Sequence, residues 1–284
     1  MSKIKVGQEN STPIEIYYED HGSGKPVVLI HGWPLSGASW EKQVAALLAD
    51  GRRVITYDRR GFGRSSQPST GYDYDTFASD LNILVTHLDL KDFDLVGFSM
   101  GTGEVTRYLG RYGSALVSKA VMIGVVPPYL LKTDDNPAGV PAEVFEDIKK
   151  NIVADRPAFL TEFFKNFYNL DVNLGKRISE QVVQLSWNVA SGASAKGTLD
   201  CVTSWLTDFR DDVANIDVPT LILHGDEDRI LPIESTAVPL SKLIAAAKFV
   251  KIEGGPHGMC WTHADKINVE LLSFFNKETE AATA

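Results

Sequence analysis

Four short runs constrain this chain more than any other feature: Val27-Val28-Leu29-Ile30, Val54-Ile55-Thr56-Tyr57, Phe93-Asp94-Leu95-Val96 and Lys119-Ala120-Val121-Met122-Ile123. Each is nearly continuous in apolar residues. None shows the polar alternation of a strand with one wet face. Such runs fit strands covered on both sides, as in a parallel sheet. Parallel neighbours need crossovers, and helix-period segments lie between the runs. Residues 40–48 read as one helix, with Ser39 as its N-cap and Glu41 and Gln43 in the first turn. Residues 74–88 put Phe77, Leu81, Leu84, Val85 and Leu88 on one helical face. A strand pair over 3–6 and 14–19 opens the chain. The alternation predicts an α/β fold built on a mostly parallel, doubly wound sheet.

The alternation stops at Pro127 and resumes near Pro219. Between them the spacing predicts helices over 141–152, 157–165, 176–190 and 198–209, with no strand. Aromatic residues crowd this stretch, among them Phe145, Phe159, Phe163, Phe164, Phe167, Trp187 and Trp205. Beyond it come a strand at 221–223, a helix over 233–246, a strand at 249–252 and a closing helix over 266–276. The polar tail after Lys277 is expected to fray. The expected organisation is an α/β core, residues 1–126 and 217–284, split by a helical cap, residues 127–216. A cap over the carboxyl ends of the strands would roof whatever site lies there.

Composition removes several classes. Of 284 residues, 28 are Lys or Arg and 37 are Asp or Glu, a formal charge of −9. Nucleic acid is therefore not an expected partner, since affinity for it rests on cationic side chains. The cluster Arg59, Arg60, Arg64 reads instead as a glycine-bent loop whose arginines brace its neighbours. The two cysteines, Cys201 and Cys260, read as buried or half-buried free thiols. The first 20 residues carry no apolar leader core, and no stretch has the ~18 apolar residues of a membrane span. A cytoplasmic protein without a membrane partner is the expectation. No cysteine, histidine or carboxylate cluster has metal-ligand spacing, and Gly61-Phe62-Gly63 lacks the third glycine of a dinucleotide loop. Neither metal nor cofactor is expected.

The chemistry concentrates in Gly97-Phe98-Ser99-Met100-Gly101, between a buried strand and a helix. G-x-S-x-G in that setting is a nucleophile elbow: a serine on a tight bend above the sheet, with small residues where backbone passes close. A serine hydroxyl needs a base held by a third group. Of the histidines after Ser99, His257 lies in the small-residue loop Gly254-Gly255-Pro256-His257-Gly258, just past the last strand, and is the expected base. His224 reads as a buried or supporting histidine, and His263 as a cap or surface residue. His31 reads as a loop brace. Asp226, Glu227 and Asp228 compete for the acid. Asp226 is nearest the strand end and could instead fix the loop, whereas Asp228 lies deeper, where it can reach His257. The oxyanion donors expected of such a site are the N–H groups of Met100, after the nucleophile, and Trp33, after the early strand; Pro34 has none.

These stretches resemble the α/β-hydrolase group of bacterial arylesterases, cofactor-free haloperoxidases (perhydrolases) and γ-lactamases. The matching blocks are HGWPLSGASWE at 31–41, YDRRGFGRSSQPSTGYDYDTFASDL at 57–81, GFSMGTGEV at 97–105, NFYNLD at 166–171, HGDEDRILP at 224–232 and GGPHG at 254–258. The resemblance implies Ser99, Asp228 and His257 as triad and Trp33 and Met100 as oxyanion donors. It also implies a substrate pocket lined by Trp33, Pro34, Phe145, Phe159, Phe163, Ile230 and Leu231. Pro34 stands where esterases of the group often carry leucine and perhydrolase-active members proline. TDDNPAGVP at 133–141 and Thr102 look most like the γ-lactamase-type members.

The expected activity is hydrolysis of small aryl or alkyl carboxylic esters through an acyl-Ser99 intermediate, which water or hydrogen peroxide resolves. Hydrolysis of small cyclic lactams is the alternative within the group. A sensor of small apolar molecules is the alternative of another class, and slow or single-turnover hydrolysis would reveal it. Aspartate-nucleophile dehalogenases and epoxide hydrolases are disfavoured by Ser99. The oligomeric state is left open, a homo-oligomer included.

Overall fold

Hydrophobic strands with no polar face can sit only at the centre of a sheet, and there the computed structural model places them. It describes residues 2–245 and 247–277; the tail beyond Lys277 lies outside them. Eight strands form one sheet: β1 (Ser2–Glu9), β2 (Thr12–His21), β3 (Pro26–Ile30), β4 (Arg53–Tyr57), β5 (Phe93–Phe98), β6 (Val117–Ile123), β7 (Thr220–Gly225) and β8 (Ala247–Ile252). Their order is β1-β2-β4-β3-β5-β6-β7-β8. From β4 to β8 every pair is parallel, while β1 and β2 are antiparallel. Every residue of β5 and β7 is buried, whereas the edge strands β1 and β8 are mostly half-buried or exposed. The β1–β2 hairpin turns at Asn10, whose φ of 52° suits the left-handed position asparagine tolerates.

The chain steps from β3 to β4 on one side, then crosses to β5 on the other. Crevices form at such a reversal, beyond the carboxyl ends of the strands. The register aligns those ends. Ile30 lies opposite Gly97, Phe98 opposite Ile123, Ile123 opposite Leu223, and Gly225 opposite Ile252. The loops carrying Trp33, Ser99, Asp228 and His257 therefore all leave the sheet along one edge.

Helices α1 (Glu41–Ala49) and α2 (Tyr74–His87) fall where their patterns predict them, and α3 (Met100–Tyr112) follows the elbow as expected. The capping of α1 differs. A 3-10 turn over Gly37–Trp40 runs straight into it, so Ser36 takes the capping role and Ser39 donates its hydroxyl back to the Ser36 carbonyl at 2.7 Å. Between β6 and β7 run α4 (Ala142–Tyr168), α5 (Leu170–Asn173), α6 (Glu180–Ser191), α7 (Ala195–Ser204) and α8 (Arg210–Val213), with no strand. The two helices expected over 141–165 are the halves of α4, broken at Asp155, which has non-helical φ and ψ. There Asp155 caps the Ala158 N–H at 3.0 Å, one residue after Pro157. Helix α6 starts later than expected, because the N–H groups of 176–178 all turn back to the Asn173 carbonyl. Helix α7 starts earlier than expected, capped by Ser194. The stretch expected as one helix from 233 divides into a turn over Ile233–Ser235 and α9 (Ala237–Leu243), while residue 246 lies outside the described residues. Helices α10 (Met259–Thr262) and α11 (Ala264–Asn276) close the fold.

The arginine loop braces as expected. Arg60 grips Asp80 with two bonds of 2.7 Å, and Arg59 reaches Glu104 on α3 at 2.8 Å. Cys201 and Cys260 are free and buried. Among the described residues no helix is long and apolar enough to cross a membrane, and no group of three or more metal-ligating side chains is assembled.

Candidate active site

Ser99 sits between the last residue of β5 and the first of α3, with φ 54° and ψ −122°. A non-glycine residue in that region is strained and persists only where its surroundings fix it. Here the Ser99 N–H is tied to the Ile123 carbonyl at 2.8 Å, and its own carbonyl accepts the Thr102 N–H at 2.9 Å. The flanking glycines follow from contact. A side chain at Gly97 would meet the Gly101 carbonyl oxygen at 2.5 Å, and one at Gly101 would strike the Ile30 carbonyl.

His257 brings its Nε2 to 2.8 Å from Ser99 Oγ and its Nδ1 to 2.6 Å from Asp228 Oδ2. The ring is fully buried, with Phe98 and Phe167 at centroid distances of 5.1 and 5.2 Å. The other Asp228 oxygen accepts the N–H groups of Ile230 at 2.9 Å and Leu231 at 2.8 Å. Burial disfavours the Asp228 carboxylate, but His257 and a bond from His224 more than offset it and hold the group well below its ordinary value. His224 reaches the oxygen that faces His257, at 3.3 Å. Its Nδ1 accepts the Val125 N–H, so Nε2 carries the proton, which also faces the Leu231 carbonyl at 2.9 Å.

Of the three acids in this loop only Asp228 meets His257. Asp226 binds the Gly254 N–H at 2.7 Å, which ties the acid loop to the base loop. His263, expected as a cap or surface residue, is buried and bonds Thr262 Oγ1 at 2.9 Å. It makes no side-chain cap on α11.

A cavity of about 340 Å³ opens above Ser99. Trp33, Met100, Phe145, Phe159, Phe163, Ile230 and Leu231 all line it. Pro34 does not: it is buried, in a turn closed by the Leu35 N–H on the Gly32 carbonyl at 3.1 Å. Neither the Trp33 nor the Met100 N–H has an acceptor among the described residues. Trp33 meets Phe163 and Trp205 edge to face and is steadied by its indole N–H on the Thr198 carbonyl at 3.2 Å. Sequence reasoning missed Val144, Ile148 and Asn151 on the first half of α4, and Glu162 and Asn166 on the second. Steps of three and four from Phe145 and Phe159 would have found most of them. It also missed Val126, Leu130, Val140, Trp205 and Arg229, which only the folded loops and helices bring to the wall.

The α/β hydrolase fold family matches residues 25–264. A Synechocystis sp. protein whose assigned name, non-heme chloroperoxidase, is provisional is 67% identical over 96% of this chain and 99% of its own. A bifunctional esterase/perhydrolase of Acinetobacter calcoaceticus is 38% identical over 92% of this chain and 96% of its own. The crystal structure of a bromoperoxidase from Bacillus anthracis superposes with a TM-score of 0.93 at 51% identity, covering 97% of this chain and 99% of that one. An eight-stranded, mostly parallel sheet with a serine elbow after its fifth strand, and these relatives along nearly its full length, lead to one conclusion: the chain belongs to the α/β hydrolase fold family.

Proposed function

We propose that this protein is a serine hydrolase of small carboxylic esters that also transfers the acyl group to hydrogen peroxide. The observation that carries the reading is the hydrogen-bonded chain Asp228–His257–Ser99 at the floor of a mainly apolar cavity. Ser99 Oγ attacks the ester carbonyl as His257 Nε2 takes its proton. Asp228 orients the imidazole and stabilises the imidazolium. The N–H groups of Trp33 and Met100 receive the oxyanion. The tetrahedral intermediate expels the alcohol, which leaves with the proton from His257, and acyl-Ser99 remains. Water, deprotonated by His257, then releases the acid. Hydrogen peroxide in its place releases a peracid, which oxidises halide in solution. The Acinetobacter relative, named for both activities, supports this pairing.

In this reading residues 127–216 form the cap, and their aromatic side chains favour an apolar acyl or alcohol group. The setting we propose is cytoplasmic, in keeping with two free thiols. The test is steady-state turnover of p-nitrophenyl acetate, with and without hydrogen peroxide. Ser99→Ala is expected to lower both acid and peracid formation by roughly 10⁴-fold or more. Halide oxidation surviving at the wild-type rate in Ser99→Ala would sink the shared acyl-enzyme. Absence of turnover in the wild type would move the search to lactams.

A further inference from the structure

His31 is fully buried one residue beyond β3, and its ring has only backbone partners within hydrogen-bond distance. The Arg59 N–H donates to Nε2 at 3.0 Å, and Nδ1 lies 2.8 Å from the Gly32 carbonyl oxygen. A backbone N–H can only donate, so Nε2 must accept and the ring proton must sit on Nδ1. The tautomer is thereby fixed, and Nδ1–H donates to the Gly32 oxygen. Burial first, and the Arg59 charge second, keep the ring well below its ordinary protonation range, so Nε2 stays an acceptor.

The Gly32 carbonyl belongs to the same peptide unit as the Trp33 N–H. That unit is trans and planar, so its C=O and N–H point in opposite directions. Whatever holds the carbonyl aims the N–H. Two donors hold it: His31 Nδ1–H, and the Leu35 N–H at 3.1 Å. Behind His31 the bracing continues. Arg59 Nη2 donates to the His31 carbonyl at 3.0 Å, while Arg59 Nε is paired with Glu104 at 2.8 Å, on the helix that begins beside Ser99. The far side of Gly32 packs on the nucleophile: a β-carbon there would lie 2.9 Å from Ser99 Cβ.

We infer that His31 is a positioning residue, which aims the Trp33 N–H at the reacting carbonyl oxygen by gripping the other end of its peptide. The inference rests on the oxyanion role proposed for Trp33. His31 touches no substrate. Its effect belongs to the tetrahedral state, where the oxyanion forms, and not to substrate binding. Removing one oxyanion donor typically costs 10²–10³-fold in kcat, and a donor present but misaimed costs less.

The test compares His31→Leu, which lacks any donor, with His31→Asn, whose side-chain N–H can still reach the Gly32 oxygen. Steady-state hydrolysis of p-nitrophenyl acetate is paired with inhibition by phenylboronic acid, which forms a tetrahedral adduct on the serine. We expect His31→Leu to lose about 30–100-fold in kcat with KM within about threefold, and to weaken boronate binding by a similar factor. His31→Asn should recover most of both losses. Should the leucine variant fail to fold, His31→Ala, which leaves a gap and no clash, takes its place with the same expectation. Equal kcat in all variants would overturn the inference. So would a loss shared by Leu (or Ala) and Asn with boronate affinity unchanged, since a merely structural brace behaves that way. A wild-type protein with no Ser99-dependent turnover and no boronate binding would overturn the hydrolase reading itself. Wild-type turnover with indifferent His31 variants would overturn only this step.

Discussion

The chain uses the pair His-Gly twice where a buried parallel strand gives out, His31-Gly32 after β3 and His224-Gly225 at the end of β7. Both imidazoles are fully buried, both accept a backbone N–H from the neighbouring strand's loop, and both present their ring proton to a loop carbonyl. The glycines are alike too, each pressed against another loop of the site: Gly32 against Phe98 and Ser99, Gly225 against the backbone of Gly255. The difference lies in what else each histidine touches. His31 acts on one peptide and meets no carboxylate. His224 also reaches the Asp228 oxygen that faces His257. One motif thus holds a neutral donor in place, and the other supports a charge. The two loops should accordingly fail in different ways.

The largest effect should come from the charged side. Asp228→Asn can still accept the Ile230 and Leu231 N–H groups through its carbonyl oxygen. Its amide nitrogen would then face His257 Nδ1, and the imidazole would be pushed toward the wrong tautomer. We expect kcat to fall by about 10³–10⁴-fold, and the melting temperature to fall too, because the amide nitrogen would also face the proton on His224 Nε2. Activity within tenfold of wild type would remove Asp228 as the acid and reopen the choice within 226–228.

Next come the two glycines. Alanine at Gly225 would strike the Gly255 carbonyl oxygen and lie 2.5 Å from its carbon, and backbone cannot rotate away. The acid and base loops would separate. We expect Gly225→Ala to destabilise the fold by about 2–4 kcal/mol and to cut kcat as well, read from urea unfolding and turnover together. Alanine at Gly32 meets side chains instead, Phe98 Cδ1 at 2.8 Å and Ser99 Cβ at 2.9 Å. Those can yield, at the nucleophile's expense. Gly32→Ala should lose less stability than Gly225→Ala while losing comparable activity. The reverse order would show that the two loops are not built alike.

The same contrast explains what the sequence made legible. Strands β3 to β7 and helices α1 to α3 read plainly, because burial on both faces or one face leaves a pattern within a few neighbouring residues. Ser99 and His257 read plainly because close backbone approach demands glycines around them. Asp228 did not separate from Asp226 on spacing alone. The separation depends on where the Gly254 N–H lies, 28 residues away, and it claims Asp226. Boundaries of α6 and α7 slipped for a similar reason. Asn173 gathers three backbone donors, and Ser194 is anchored to the Gly61 carbonyl at 2.7 Å, neither of which a local pattern records. Arg229 and Trp205 reached the cavity wall only through the packing of distant segments. Pro34 failed as a wall residue because adjacency to Trp33 does not decide which way a turn faces.

The smallest expected effect concerns acid, and it sets the uncharged histidines against the carboxylate. His263, beside the base loop, has its protonation pushed down to about 4 from an ordinary 6.5, by burial first and then by Arg177 and Lys266. Folded, it stays neutral where the unfolded chain would take up a proton. Its contribution to stability is therefore complete above about pH 6.5 and drains away as pH falls toward 4. His31 is shifted in the same direction and adds to the same slope. Asp228 is displaced below its ordinary 3.8, so its contribution is present above that value and lost only beneath it. Acid should thus erode the fold in two stages, histidines first and the triad carboxylate last. Urea midpoints between pH 7 and pH 4.5 report the histidine stage less an opposing gain from Asp80 and Asp94, which burial raises to about 6 and which take up protons in the folded chain over the same interval. Comparison with a His263 variant isolates the histidine part. His263→Asn should flatten that slope by about 1–2 kcal/mol over the interval, leaving the steeper loss below pH 4 in place. An unchanged slope in His263→Asn would mean that the ring takes up its proton alike in the folded and the unfolded chain, so that burial beside Thr262 does not hold it neutral.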